Sequence, residues 1–163
     1  MQTDWICVLS DDSVRIDDIY HYLEPLSDEY PDFFHWYWEK VVPGLASHER
    51  IIRCVYHGQE IAGILILKNT TTEKKICTLR VSPGYQGQGI GKQLLNVALL
   101  SLHYMKPLVT VPEIHYEAFK GLFQKNGFEL YKVYKNYYRE GSVEYAYNGF
   151  LSKTFGNHRQ IAK

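Results

Sequence analysis

Residues 76–92 read Ile76-Cys77-Thr78-Leu79-Arg80-Val81-Ser82-Pro83-Gly84-Tyr85-Gln86-Gly87-Gln88-Gly89-Ile90-Gly91-Lys92. Ile76–Val81 is a short β-rich run bounded by turn residues, which predicts a strand. From Ile90 to Met105, apolar residues fall at Ile90, Leu94, Leu95, Ala98, Leu99 and Leu102, the spacing of a helix with one buried face. Between the two, Gly87, Gly89 and Gly91 alternate along the chain. Glycines so placed let the backbone turn sharply and bring its N–H groups close to a ligand. The following helix adds unpaired N–H donors and the positive end of its dipole. Strand, loop and helix together predict a pyrophosphate cradle, with Lys92 as a cation at its rim.

Two other nucleotide motifs fit poorly. A P-loop requires Ser or Thr after its Gly-Lys, whereas Lys92 is followed by Gln93. A Rossmann fingerprint requires GxGxxG in a βαβ unit, whereas here the glycines run GxGxG and hairpin-like strands precede them.

Gln86-Gly87-Gln88-Gly89-Ile90-Gly91 resembles the acetyl-CoA motif of the GNAT N-acetyltransferases, Gln/Arg-x-x-Gly-x-Gly/Ala. Thr78-Leu79-Arg80-Val81-Ser82-Pro83 is similar to the family's strand leading into that loop. Phe119–Phe128 is similar to its later helix ending in aromatic-x-x-x-Gly-Phe. The likeness spans roughly residues 50–150, while residues 1–49 match in layout only. It implies a mixed, mostly antiparallel sheet of about seven strands flanked by about four helices, an α+β fold. It implies a strand that splays from its neighbour at a bulge, with Leu79, Arg80 and Val81 along the pantetheine arm. It further implies a pyrophosphate held by the backbone of Gln86, Gly87, Gln88, Gly89, Ile90, Gly91 and Lys92. The cofactor implied is acetyl-CoA and the reaction N-acetylation in a ternary complex.

The sequence departs from the family's pattern in the second helix. Where many members carry a tyrosine as acid to the departing thiolate, this chain has Phe123, a cofactor-side position that cannot donate a proton. Where members begin the helix with an asparagine, it has Tyr116. Three readings stay open: another group supplies the proton, no dedicated acid exists, or the site binds acyl-CoA without catalysis. For the first, Tyr116, Tyr137 and Tyr138 are candidate acids, and Glu113 or His115 a candidate base for the substrate ammonium. Each has a structural alternative. Tyr137 and Tyr138 would face opposite sides of a regular strand, so at least one packs.

Working outward, Ile51–Tyr56 and Ile61–Leu67 flank His57-Gly58-Gln59-Glu60 and predict a hairpin. Leu108–Val111 is a short strand, His115–Asn126 a helix stopped by Gly127, and Phe128–Tyr138 with Val143–Tyr147 a closing hairpin. Toward the N-terminus a strand is expected at Trp5–Leu9, and Ser10-Asp11-Asp12-Ser13 reads as cap chemistry for a helix over Val14–Leu23. A second helix is expected over Asp32–Val42, broken by Pro43-Gly44.

With no repeat or linker, 163 residues are expected to form one N-acetyltransferase domain: acceptor-side helices in 1–49, a cofactor-binding core in 50–150 and a tail in 151–163. Cys7, Cys54 and Cys77 lack metal-ligand spacing and suit buried thiols in a reducing compartment. No metal is expected. Met1–Asp4 lacks the pattern of a signal peptide, and Ile61–Leu67 is too short to span a bilayer, so a cytoplasmic location is expected.

Net charge is zero, but eight of the 18 acids lie in residues 11–32 beside one base, Arg15. An aromatic run, Phe33, Phe34, Trp36, Tyr37 and Trp38, follows. Carboxylates and aromatic faces suit a cationic acceptor, a protein lysine or N-terminus or a small amine, although the same run also suits simple packing. The basic surplus elsewhere keeps a second acceptor open, the amino acid on a charged tRNA, although no basic cluster interleaved with aromatics is evident. A non-catalytic acyl-CoA-binding regulator is the third alternative, and a homodimer is an open partnership.

Overall fold

The computed structural model describes residues 15–151, together with the backbone of residues 5–8. Seven strands form one sheet in the order β1-β2-β3-β4-β5-β7-β6. They are β1 (Trp5–Val8), β2 (Arg50–His57), β3 (Glu60–Asn69), β4 (Lys74–Val81), β5 (Leu108–Pro112), β6 (Leu130–Lys135) and β7 (Val143–Tyr147). Every neighbouring pair is antiparallel except β4 with β5, which run parallel. That pair is linked by α4 (Ile90–Leu102), because parallel neighbours need a crossover long enough to return the chain. The α+β expectation is met.

The helices cover both faces. On one lie α1 (Ile16–Leu23), a 3₁₀ turn (Glu24–Asp28), α2 (Phe33–Trp36), a π turn (Tyr37–Val41) and α3 (Val42–Ala46). Their Ile19, Leu23, Phe33, Trp36 and Tyr37 pack on Ile52, Cys54, Ile64, Ile66 and Cys77 of the sheet. On the other face α4 and α5 (Glu113–Lys125) bury Ile90, Leu94, Leu95, Ala98 and Phe123 against Leu65, Leu67, Ile76, Val109 and Val111. The alternation of Ile64 and Ile66 with Leu65 and Leu67 between the two clusters is the two-residue period of a strand covered on both sides.

Several boundaries differ from the sequence expectation for local reasons. Pro43 does not end the second helical stretch. The chain widens into the π turn, where the N–H of Val42 reaches the carbonyl of Tyr37, and helix continues to Ala46. Pro43 then sits in the first turn of α3, where its missing N–H costs little. Helix α4 stops at Leu102 rather than Met105, because His103 turns left-handed (φ 48°) and the Tyr104 N–H closes back on Leu99. Strand β6 ends at Lys135, where left-handed Asn136 accepts the Gly141 N–H on its side chain and bonds Ser142 through its backbone. Tyr137 and Tyr138 therefore lie in the turn, not on opposite faces of a strand. Their rings meet edge to face 4.8 Å apart, and both pack on the α1–α3 side. The cap at Ser10–Ser13 lies outside the described residues.

Cys54 and Cys77 are buried. Among the described residues no three His, Cys, Asp or Glu side chains gather to hold a metal, and no helix is long and apolar enough to cross a membrane.

Candidate functional site

The sheet opens at its middle. β4 and β5 are paired only at Lys75–Leu108 and Ile76–Val109. One residue later Cys77 is the extra residue of a bulge: Leu67 pairs Ile76 while Ile66 pairs Thr78. A bulge bends its strand and sharpens the twist, and from there Thr78–Val81 stay paired to β3 but not to β5. The facing edges of β4 and β5 diverge, leaving backbone groups of both strands available to a ligand.

A groove of about 510 Å³ occupies this opening. Its floor is Ile76–Val81 of β4 and Val109–Pro112 of β5. One rim is the glycine loop with the start of α4, and the other is Ala118, Phe119, Leu122 and Phe123 of α5. The alternation of β4 sorts its side chains. Leu79 and Val81 belong to the α4–α5 core, whereas Arg80 lies over the ring of Tyr22 in α1, 5.6 Å from its centre. The groove thus connects two chemically different sides: an apolar wall under α4 and α5, and a polar one holding Glu29, Tyr30, Thr78 and Thr110.

The glycine loop has the geometry expected from its sequence. Gly87 and Gly89 have φ of 76° and 83°, a region costly for other residues, and a Cβ on either would meet nothing within 4 Å. Gly89 caps α4, whose first internal bond is Gln93 N–H to the Gly89 carbonyl at 3.0 Å. The N–H groups of Ile90, Gly91 and Lys92 precede it and have no acceptor within the helix. Gln86, Gly87, Gly89, Ile90 and Gly91 line the groove, while Gln88 and Lys92 are exposed outside it. The Gln86 side chain is turned back onto the Val81 carbonyl at 3.3 Å. The loop is also braced from behind: the Tyr85 hydroxyl donates to Glu60 at 2.7 Å and lies 3.3 Å from His57, on the β2–β3 turn.

The sequence-derived candidates for proton transfer do not converge. Phe123 is buried in an aromatic stack, parallel to Phe128 at 5.3 Å and 5.0 Å from Tyr147, and contributes to the groove wall. Tyr116 lies outside the groove, its ring stacked 3.9 Å from Tyr145 and under Lys120. Its hydroxyl helps burial push the Tyr147 phenol up to about 12. Glu113, at the start of α5, lines a separate cavity of about 150 Å³ with Arg139, Gly141 and Glu144. Tyr138 is 3% exposed and outside the groove lining, its phenol held far above the usual range by burial and then by the nearby Glu144 charge.

His115 alone of the proposed acids and bases lines the groove. Its Nε2 is 3.7 Å from Oε1 of Glu29, which the sequence reading counts only among the eight acids of residues 11–32. Beside it, Tyr30 is buried and donates to Glu144 at 2.6 Å across 114 residues of chain. Burial, then the Glu144 charge, raises the Tyr30 phenol far out of the titrating range. A signal for Glu29-Tyr30 was present only as an acid–aromatic pair before Pro31, with nothing local to distinguish it.

The chain matches known proteins at the level of fold and family. No curated protein sequence matches it. Among solved structures, a GNAT-family protein from Desulfovibrio desulfuricans superposes with a TM-score of 0.66 at 17% identity, covering 88% of this chain and 95% of that one. A Bacillus subtilis acetyltransferase in complex with CoA gives 0.61 at 18%, covering 91% and 100%. An aminoglycoside 6′-N-acetyltransferase complexed with coenzyme A gives 0.63 at 13%, covering 87% and 94%. The model of the acetyltransferase (GNAT) domain matches residues 47–130, which span β2 through α5, the glycine loop and the first residue of β6. The chain therefore belongs to the GNAT acetyltransferase family.

Proposed function

We propose that the protein is an N-acetyltransferase that moves an acetyl group from acetyl-CoA to a primary amine by direct attack in a ternary complex. The observation that carries this reading is the groove between the diverging edges of β4 and β5, with one wall apolar and the other polar. The fit to CoA rests on three features: a free strand edge for the pantetheine amides, inward N–H groups of the loop and α4 for the pyrophosphate, and open space beside Gly87 and Gly89. Similar structures hold CoA, and one of them acts on an aminoglycoside amine, which supports the cofactor and the acceptor class.

Bound there, acetyl-CoA supplies an activated acyl carbon. The chain's part is to hold that carbon at the strand opening while the polar wall presents the amine. Fixing two reactants in attack geometry is worth about 7–11 kcal/mol when alignment is good. Leu79 and Val81 face the α4–α5 core beneath the arm, and Phe119 and Phe123 exclude water from it. Phe123 offers no proton, which a thiol with a pKa near 8.5 tolerates as leaving group.

Calorimetric titration of acetyl-CoA, followed by a thiol-release assay against mixed amines and peptides, tests the proposal. Micromolar binding with release of CoA supports it. Absence of binding refutes it, and binding without release from any amine would turn the reading to an acyl-CoA-binding regulator.

A further inference from the structure

Glu29 and His115 come from segments 86 residues apart, the end of the 3₁₀ turn after α1 and the start of α5, yet they meet on the polar wall of the groove. Glu29 Oε1 faces the imidazole, while its Oε2 is buried and has no hydrogen-bond partner among the described residues. A carboxylate oxygen removed from water and left without a donor costs free energy unless a ligand supplies one. A second such group lies in the same groove. Thr78 is 8% exposed, and its hydroxyl has no partner among the described residues. Unsatisfied polar groups on one wall, opposite an apolar one, mark the place where a polar reactant completes the site.

Resting on the acetyltransferase reading, we propose that Glu29 and His115 form a catalytic pair that binds the acceptor as a primary alkylammonium ion and takes its proton. Glu29 Oε2 accepts an N–H from the ammonium, and His115, paired to Oε1, receives the proton and passes it to solvent through its half-exposed side. The freed nitrogen lone pair forms the C–N bond as the C–S bond breaks, and the thiolate sulfur takes the second nitrogen proton. The products are an N-alkylacetamide, CoA and one proton released to water. Around Glu29, Tyr30 is the adjoining residue, and Glu113 from α5 with Arg139 and Glu144 from the β6–β7 hairpin share the smaller cavity that Glu29 also lines. In the smaller cavity beside Glu29 the carboxylates of Glu113 and Glu144 outnumber the one guanidinium, which favours a cation.

The test uses butylammonium as the probe and acetyl-CoA binding as the control. In the wild-type protein, butylammonium shifts the NMR resonances of the His115 imidazole, and Glu29→Gln removes that shift while acetyl-CoA binds as before. In the thiol-release assay at neutral pH, Glu29→Gln and His115→Gln each lower kcat for butylamine by about 10²-fold with KM for acetyl-CoA unchanged. That gap closes as pH rises toward the amine's own pKa near 10, where the substrate arrives without its extra proton. Free imidazole restores part of the rate to His115→Ala, which loss of a merely structural contact would not allow. No imidazole shift in the wild-type protein, or variants matching its neutral-pH rate, overturns the pair. So does a wild-type protein that binds acetyl-CoA but never acetylates butylamine. Failure of acetyl-CoA to bind the wild-type protein overturns instead the acetyltransferase reading beneath it.

Discussion

Gly63 of β3 packs directly against α4, and replacing it with alanine tests whether that contact sets the site. A Cβ built there would sit 2.8 Å from Ile90 Cγ2, 2.9 Å from Leu94 Cδ1 and 3.3 Å from the Arg80 carbonyl. Carbon contacts are comfortable at about 3.5–4.0 Å, so α4 or β3 must give by somewhat under 1 Å. The obstacles are stiff. Ile90 is β-branched in a helix, with one strongly favoured rotamer, and Ile90 and Leu94 are 2% and 0% exposed. Overpacking of this kind costs about 1–3 kcal/mol. For a chain of this size that is a fall in Tm of about 3–10 °C. Ile90 is also the first residue of α4, so relief of the clash displaces the N–H groups that face the groove. Weakening one hydrogen bond by about 0.5–1.5 kcal/mol lowers acetyl-CoA affinity by about 2- to 12-fold. Differential scanning calorimetry and isothermal titration read the two effects. Gly84→Ala is the control: its Cβ meets nothing within 4 Å, and both readings should stay at wild-type values. A Gly63→Ala protein with unchanged Tm would show that the core yields freely and refute the packing argument. One that melts early but binds acetyl-CoA normally would refute the coupling between helix position and cofactor.

Three further outcomes are expected. Gly89→Val should lower acetyl-CoA affinity by about 100-fold in titration, the loss of one or two charge-assisted hydrogen bonds, while its φ of 83° limits the stability cost to about 1–3 kcal/mol; unchanged affinity would sink the loop assignment. Tyr85→Phe removes the brace between the loop and Glu60 and should raise the acetyl-CoA Kd by about 2- to 10-fold with little change in Tm; equal Kd values would show that the loop holds its shape without it. Alkali should destabilise the fold through its buried phenols: burial raises Tyr30, Tyr37 and Tyr138 well above 10, and Tyr56 and Tyr147 to about 12. Unfolded tyrosine ionises near pH 10 and so binds fewer protons than the native state above that pH. Their contribution to stability is therefore complete below pH 10 and is lost as pH rises through about 12; a Tm that stays level from pH 9 to 11 would refute it.

The glycine loop and α4 were legible in the sequence because their signals are local: alternating glycines, an apolar period and a strand directly before them. The sheet's antiparallel arms were legible through hairpin turns for the same reason. The N-terminal helix was misread at Pro43 because a proline is a stop signal only where its N–H is needed. The π turn removes that need by shifting the hydrogen-bond register one residue earlier, a choice made by packing of Trp36, Tyr37 and Val41 on the sheet. Tyr116 and Tyr138 lie off the groove lining, since a residue's type and position on a helix or turn do not say which wall of the groove it faces.

Glu29 and His115 show what sequence reading lacks here. Glu29 is unremarked in its own segment, one acid among eight in residues 11–32, and His115 stands out only as a candidate base near a helix start. Their meeting depends on β4 and β5 separating after Ile76 and Val109, since a fully paired sheet would leave no passage between the polar wall and the cofactor wall. That separation depends on Cys77, a single extra residue between β3 and β4 whose sequence context, Ile76-Cys77-Thr78, looks like any buried strand. A bulge is a property of two strands in register, not of either alone. The local motif thus points to the proposed cofactor groove, and only the long-range pairing brings together the two residues proposed to use it.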